Sequence, residues 1–396
     1  MKALDDIVVL DLGTFIAGPF CATLLAEFGA EVIKVESPNG GDSLRRFGTD
    51  TEVGDTLIWL SESRNTKCVT LNFRDERSRP ILRQLIEKCD VIVENFRPGV
   101  AEKLGLSYAE IQAINPRAVF VRISAYGQTG PDRMKPGFAR IAHAFSGLAY
   151  LAGEPGRVPV TPGSTSLADY ASGLYGALGA LIALHARERT GIGQYVDLAL
   201  YESIFRLLDE LAPAFQQSGK VRERMGPNTV NVTPHGHFQS SDGHWIAIAC
   251  SNDKIFARLA QAMGQPDLAS DSRFGQKVQR LAATDEINDL VTKWVGVNSG
   301  AEIRRLCDDH EVPSSQLFSI ADIFENPQYA ARENIKTLTS RIGDLAVPNV
   351  VPRLSDTPGG IDWLGAALGE HNTEIYQGLL GMSDQDLAAY LEIGVI

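Results

Sequence analysis

The stretch STSLADYASGLYGALGAL (164–181) places one carboxylate, Asp169, ahead of Gly173, Gly176, Ala177, Gly179 and Ala180 at helical spacing, with no basic residue before His185 and Arg187. Two readings stay open on spacing alone. Ser166 or Asp169 caps a helix over 168–190, its oxygen accepting free N–H groups while the small residues allow close packing. Alternatively the carboxylate is held there to react. A second constellation is VENFRPGVAEKLG: Asn95, Phe96 and Arg97 follow a strand, where open α/β sheets place ligands. An amide, an aromatic face and a guanidinium suit a nucleotide with phosphates, although a solvated loop starting a helix at Pro98 would read the same. Arg64, Lys67, Arg74, Lys103 and Lys135 flank other strand ends, either as a positive patch for an anionic ligand or as scattered surface charge. His235 and His237 would share one face of a strand, but no third ligand of suitable spacing stands nearby. No metal is therefore assigned.

The elements that must position these residues alternate along the first 127 residues. IVVLDL (7–12), AEVIKVE (30–36), CVTLNF (68–73), DVIVENF (90–96) and AVFVRIS (118–124) read as strands, and PFCATLLAEFG, DERSRPILRQLIEKC and SYAEIQAIN as helices. Continuously apolar strands separated by helices imply a parallel sheet covered on both faces. Helices are expected at 138–150 and 168–190, then a strand feeding a helix in GIGQYVDLALYESIF. After Gly226 the pattern changes. HGHFQSSDGHWIAIAC reads as a hairpin turning at Ser241-Asp242-Gly243, followed by helices at 252–263, 283–296 and 300–310. ENIKTLTSRIG and VPNVVPRLSDTPGG read as strands and proline-rich loops, with two short helices closing the chain. The expected class is α/β: a Rossmann-like large domain over 1–225, a smaller α+β domain over 226–330, and a segment over 331–396 returning to the large domain.

Composition limits the function classes. The 396 residues are 44% hydrophobic and 22% charged, as in ordinary globular proteins, and the length suggests roughly two or three domains. A net charge of −12 disfavours non-specific nucleic-acid binding. The apolar run Tyr170–Leu184 carries three glycines and falls short of the ~20 residues a spanning helix needs, so a buried helix is expected and no membrane association. Five cysteines without C-x-x-C spacing suggest reduced thiols and a cytoplasmic location. The turn DLGTFIAGPF lacks the G-x-G-x-x-G of dinucleotide sites, and neither a P-loop nor a G-x-S-x-G elbow occurs.

Taken together, LDLGTFIAGPFCATLLAEFGAEVIKVESPNGGDSLRR, ENFRPGVAEKLGLSYAEIQAINP, SAYGQTGP, D-x-x-x-G followed by HARERTGIGQYVDLALYES, and the later PRLSDTPG and LGEHNTEIY resemble the class III CoA-transferases, the family of formyl-CoA transferase, carnitine CoA-transferase and the bile-acid-inducible F proteins. The resemblance runs essentially end to end. It implies an interlocked homodimer of Rossmann-like subunits, coenzyme A or acyl-CoA as substrate, and no permanently bound cofactor. Asp169 falls on the family's nucleophile, Asn95, Phe96 and Arg97 on its CoA-contacting turn, Lys103 near a phosphate contact, and Ile16 and Ala17 on the loop beside the thioester. Lys67, Lys135 and Phe138 join the expected CoA-side residues. In formyl-CoA transferase a glutamine stands where Ile16 is, and its glycine-rich loop is here ACSND (249–253), so an oxalate-like acceptor is not implied. Arg45 and Arg46, with His235 and His237, are the candidates for gripping a distal carboxylate of a dicarboxylate such as succinate. Arg45 or Arg46 binding the CoA phosphates is the competing reading.

The implied chemistry is CoA transfer through an aspartyl mixed anhydride and an aspartyl-CoA thioester. An intramolecular transfer between two carboxylates of one acid is compatible with it. An α-methylacyl-CoA racemase shares the fold and the aspartate, but needs acid/base groups on opposite faces of the substrate. Its histidine would stand where this chain has Phe138 and Ala139, its glutamate where it has Gln239, and His143 lies one helical turn beyond. A non-catalytic CoA-binding protein is the remaining class.

Overall fold

Six strands form one wholly parallel sheet, its centre apolar on both faces: β1 (Val8–Asp11), β2 (Glu31–Glu36), β3 (Thr66–Thr70), β4 (Val91–Glu94), β5 (Val119–Ser124) and β6 (Tyr195–Ala199). Their order is β3-β2-β1-β4-β5-β6. The computed structural model describes residues 2–161, 163 and 166–396. Alternation along each strand divides the core. Val9, Val93, Val121 and Ile123 meet helices α1 (Ala17–Glu27), α4 (Ala139–Phe145) and α5 (Leu167–Thr190), while Leu10, Ile92 and Phe120 meet α2 (Arg79–Lys88) and α3 (Tyr108–Ile114). The chain runs outward from β1 to β3, then returns to place β4 on the other side of β1. That reversal opens a crevice at the carboxyl ends of β1 and β4, the usual ligand position of a doubly wound sheet.

Helix α5 has the length and apolarity of a membrane span, and about half of that stretch is buried. Its inner face lies on α1, where a Cβ on Gly176 would stand 3.1 Å from the Cys21 sulfur. Leu174, Leu178, Leu181 and Ile182 form an exposed row on its other side. The helix expected over 138–150 is two pieces, because Gly147 takes φ +95° between α4 and a short turn at Leu148–Leu151.

Contacts divide the chain into one unit of Met1–Ala149, Thr161–Pro213 and Ala330–Ile396 and another of Tyr150–Val160 and Ala214–Tyr329. Residues 150–160 join the second unit through specific bonds: the Tyr150 hydroxyl donates to Glu223 and the Gly226 N–H to the Gly153 carbonyl. The second unit holds the expected hairpin, β7 (His235–Gln239) and β8 (Trp245–Ala249), extended by β9 (Ser314–Gln316). Three polar residues carry no strand periodicity, which is why β9 is silent in the sequence. Helices α6 (Asp253–Ala262), α7 (Thr284–Val297) and α8 (Gly300–Asp309) complete its core. In the first unit, β10 (Ile335–Ser340) and β11 (Gly343–Pro348) form a separate hairpin. The chain end packs Ile375, Tyr376, Leu387 and Ile396 against the α2–α3 face of the sheet.

Candidate functional site

At the sheet's switch point, β1 runs into the turn Gly13–Ile16 and β4 into Asn95. The Asn95 amide grips Thr14 on both sides: Oδ1 accepts the Thr14 N–H at 2.8 Å and Nδ2 donates to the Thr14 carbonyl at 2.8 Å. Asp42 takes the next N–H, from Phe15, at 2.9 Å, and the Thr14 hydroxyl at 3.1 Å. Behind them Lys34 is buried between Asp11 at 3.2 Å and Asp42 at 2.9 Å, and donates to the Gly13 carbonyl. Burial lifts Asp11 to about 6. For Asp42 burial is outweighed by Lys34 and by the Leu44 and Phe15 N–H groups, which hold its carboxyl below the ordinary range. This buried charge network holds Phe15 at φ +69°, a left-handed backbone that a phenylalanine rarely adopts.

The loop forms one wall of a cavity of about 260 Å³ whose lining includes Thr14, Phe15, Ile16, Ala17, Asn95, Phe138 and Asp169. Phe15 packs 4.9 Å from Phe47 and 6.3 Å from Phe138 between ring centroids, giving the cavity an aromatic rim. Helix α1 starts at Ala17 and its N-cap residue, Ile16, offers no side-chain cap. The positive end of that helix dipole therefore lies along the cavity wall.

Asp169 sits in the first turn of α5 and is 8% exposed. Neither it nor Ser166 makes a side-chain cap bond to the helix, so the cap reading is set aside. Burial raises the Asp169 carboxyl from 3.8 to about 6, opposed by a hydrogen bond from the Ser166 hydroxyl. Among the described residues lining the cavity there is no second acid, base or cation. Phe138, where a racemase would carry its histidine, is 70% exposed. His143 is not that missing base: its Nε2 accepts the Ala168 N–H at 3.0 Å, within α5.

The other expected site residues are dispersed. Ile16, Ala17, Asn95 and Phe138 meet Asp169 at the cavity. Asn95, however, has its amide committed to Thr14 rather than free for a ligand. Arg97 and Lys103 are exposed beyond β4, and Phe96 packs its ring on the sheet core. Arg45 is not a substrate ligand. Its three guanidinium nitrogens bond Glu36, Asp55 and the Ala366 carbonyl, and its plane lies 3.7 Å from the Trp59 ring centroid. Arg46 is exposed and donates to the Gly40 carbonyl. Lys67 is shared by Glu31 at 2.6 Å and Glu374 at 2.7 Å, and Lys135 pairs with Asp132 at 2.7 Å, so neither is an uncommitted cation. His235 and His237 share a face of β7, paired with Ala249 and Ala247, and belong to the second unit. Lys34, Asp42, Phe15 and His143 were not legible as site residues. Only the aspartate in the GGDSLRR run carried a signal, since a capping Asp ahead of a short helical turn is a recognisable pattern.

Asp169, buried without an ion-pair partner among the described residues, thus shares a cavity at the sheet's switch point with the start of α1. Residues 4–372 match CoA-transferase family III. The chain belongs to that family. This family III CoA-transferase is 53% identical over 387 residues to the succinyl-CoA–L-malate CoA-transferase beta subunit of Chloroflexus aurantiacus, covering 97% of this chain and 96% of that protein. It is 50% identical to the alpha subunit from the same organism, covering 97% and 90%. A crystal structure of a CAIB/BAIF family protein from Brucella suis superposes with a TM-score of 0.84 at 32% identity, covering 96% of this transferase and 99% of that chain.

Proposed function

We propose that this transferase moves CoA from succinyl-CoA to a dicarboxylate acceptor of malate type, with Asp169 as covalent carrier. The observation that carries the chemistry is Asp169 itself, a buried carboxylate that, among the described residues, has no cation beside it and no second proton-transfer group in its cavity. Such a group lacks the partner a racemase needs, and its poorly solvated oxygens suit nucleophilic attack. The Asp169 carboxylate adds to the thioester carbonyl, the C–S bond breaks, and an aspartyl–succinyl anhydride forms with free CoA thiolate. The thiolate attacks the aspartyl carbonyl, giving aspartyl-CoA thioester and succinate. The acceptor carboxylate then attacks that thioester, and the released thiolate takes the acceptor acyl group, regenerating Asp169. No proton is transferred in any step. The start of α1, on the same cavity wall, favours carbonyl oxygens as they gain negative charge.

The dicarboxylate reading rests on the relatives, whose names specify succinyl-CoA and L-malate. Within the chain, Arg46, His235 and His237 remain as candidates for a distal carboxylate, and Arg97 and Lys103 as exposed cations for CoA phosphates. The exposed row Leu174, Leu178, Leu181 and Ile182 supports a face covered by a second subunit. We take that subunit to be another copy of this chain in an interlocked homodimer. The alpha and beta names of the relatives make a mixed pair the alternative, and the mass of the purified chain in solution decides between them. Five free, buried cysteines suit a reducing, cytoplasmic setting.

The test is incubation with succinyl-CoA and equimolar malate, other dicarboxylates and monocarboxylates, with CoA esters read by mass. Malyl-CoA or another dicarboxyl-CoA is expected, and none with Asp169→Ala. Exchange with monocarboxylates alone overturns the acceptor class. Full turnover by Asp169→Ala overturns the nucleophile.

A further inference from the structure

Helix α5 is capped in an unusual way. Its first N–H groups need acceptors, and the N-cap side chain ordinarily supplies one. Ser166 occupies that position, but its side chain makes no cap bond to a helix N–H, and its hydroxyl acts instead on the Asp169 carboxyl, partly offsetting the upward push of burial. The Ala168 N–H goes instead to Nε2 of His143, on α4, at 3.0 Å, and the imidazole is 2% exposed. A backbone N–H only donates, so Nε2 must be unprotonated and the proton of the neutral ring must sit on Nδ1. Nδ1 is buried with no hydrogen-bond partner among the described residues. Burial, and secondarily the charge of Arg140, hold the imidazole below its ordinary pKa, which keeps the accepting form at neutral pH.

We propose that His143 is a positioning residue for the nucleophile: its neutral imidazole caps α5 from a neighbouring helix, leaving the Ser166 hydroxyl free to hold the Asp169 carboxylate. The inference rests on Asp169 being the nucleophile. The two roles are linked, because Ser166 is the N-cap residue, whose hydroxyl is the ordinary acceptor for such an N–H once the imidazole is removed. Drawing that hydroxyl toward the Ala168 N–H loosens the carboxylate it orients. A misdirected nucleophile lowers the rate of attack without altering how the CoA moiety binds.

The experiment compares His143→Gln and His143→Leu in the full chain with the parent and Asp169→Ala, using succinyl-CoA/malate exchange. It also records the 15N spectrum of histidine-labelled parent protein, with His143→Gln identifying the resonance. Expected are an Nδ1–H tautomer at pH 7.5, a tenfold or greater fall in kcat for His143→Leu with the acyl-CoA KM within threefold, and recovery to within threefold of parental kcat in His143→Gln, whose amide oxygen can accept the same bond. An Nε2–H tautomer or an imidazolium at pH 7.5 overturns the proposal, as does a parental kcat in His143→Leu. If His143→Leu does not fold, a folded His143→Gln with less than a tenth of parental kcat overturns it. A parent protein without any exchange activity defeats the transferase mechanism instead, and the tautomer still decides the cap.

Discussion

Gly173 of α5 lies so close to α1 that a Cβ there would stand 3.0 Å from the Ala17 carbonyl oxygen and 2.8 Å from the Phe20 ring. One turn upstream on α5 is Asp169, and Ala17 begins α1; both line the same cavity. The separation of the Asp169 carboxyl and the start of α1 is therefore set by a contact that leaves no room for a Cβ. Gly173→Ala should cost about 1–3 kcal/mol, as overpacking of a core contact does. It should also lower kcat more than the equally conservative Ala186→Gly on the far part of α5. Urea midpoints and exchange rates measure the two effects, and an unchanged kcat in a folded Gly173→Ala would show that this spacing is not critical.

Asn95 offers a sharper separation of roles. A CoA ligand would affect KM, whereas a clamp on Thr14 affects the loop that meets the reacting carbonyl. Asn95→Asp retains an acceptor for the Thr14 N–H but sets a carboxylate oxygen against the Thr14 carbonyl, in place of a 2.8 Å donor bond. The expected result is a kcat reduced at least tenfold with acyl-CoA KM changed less than threefold. A KM effect with unchanged kcat would return Asn95 to the ligand-binding turn.

The charge on Asp169 opposes folding. Its folded-state pKa, about 6, is above the ordinary 3.8 because burial disfavours the ion. The penalty is absent below pH ~3.8, grows as pH rises, and is complete above about 6, where it amounts to about 3 kcal/mol. Asp169→Asn should therefore melt higher than the parent at pH 8, with the gain shrinking toward pH 4, while exchange activity disappears. In the parent, kcat/KM should fall on acidification through about pH 6 as the nucleophile protonates. A melting difference independent of pH contradicts the burial argument.

Arg97 is exposed at the carboxyl end of β4, and no ion pair holds it among the described residues. If it meets CoA phosphates, Arg97→Ala should raise KM for succinyl-CoA about tenfold and weaken the dependence of KM on salt. Succinyl-pantetheine, which lacks the nucleotide, should react equally with parent and variant. An equal loss with both donors would place Arg97 elsewhere in the reaction.

The sheet was legible because buried parallel strands such as VIVE in β4 and VFVRIS in β5 stand out as short, mostly apolar runs between helices. Asp169 was legible as a carboxylate in apolar company, though spacing could not separate cap from nucleophile. That Ser166 leaves the helix N–H groups uncapped could be read only from the fold. Arg45 misled for a physical reason: an arginine beside glycines looks solvent-facing in sequence, while its partners Glu36 and Asp55 and the carbonyl of Ala366 come from other parts of the chain. Lys34 and His143 were hidden likewise. Each sits within a regular element, and its role depends on which buried oxygen or N–H the fold brings to its tip.

Phe15, held in a left-handed backbone at the cavity's edge, has an evolutionary consequence. Backbone energetics at position 15 favour glycine or asparagine, by about 1 kcal/mol or more, while the aromatic rim favours a ring. Drift under selection for thermal robustness alone would replace this residue early. Its persistence in a lineage would therefore record continued selection on which acids the enzyme accepts, and position 15 is where a laboratory search for altered acceptor preference should begin.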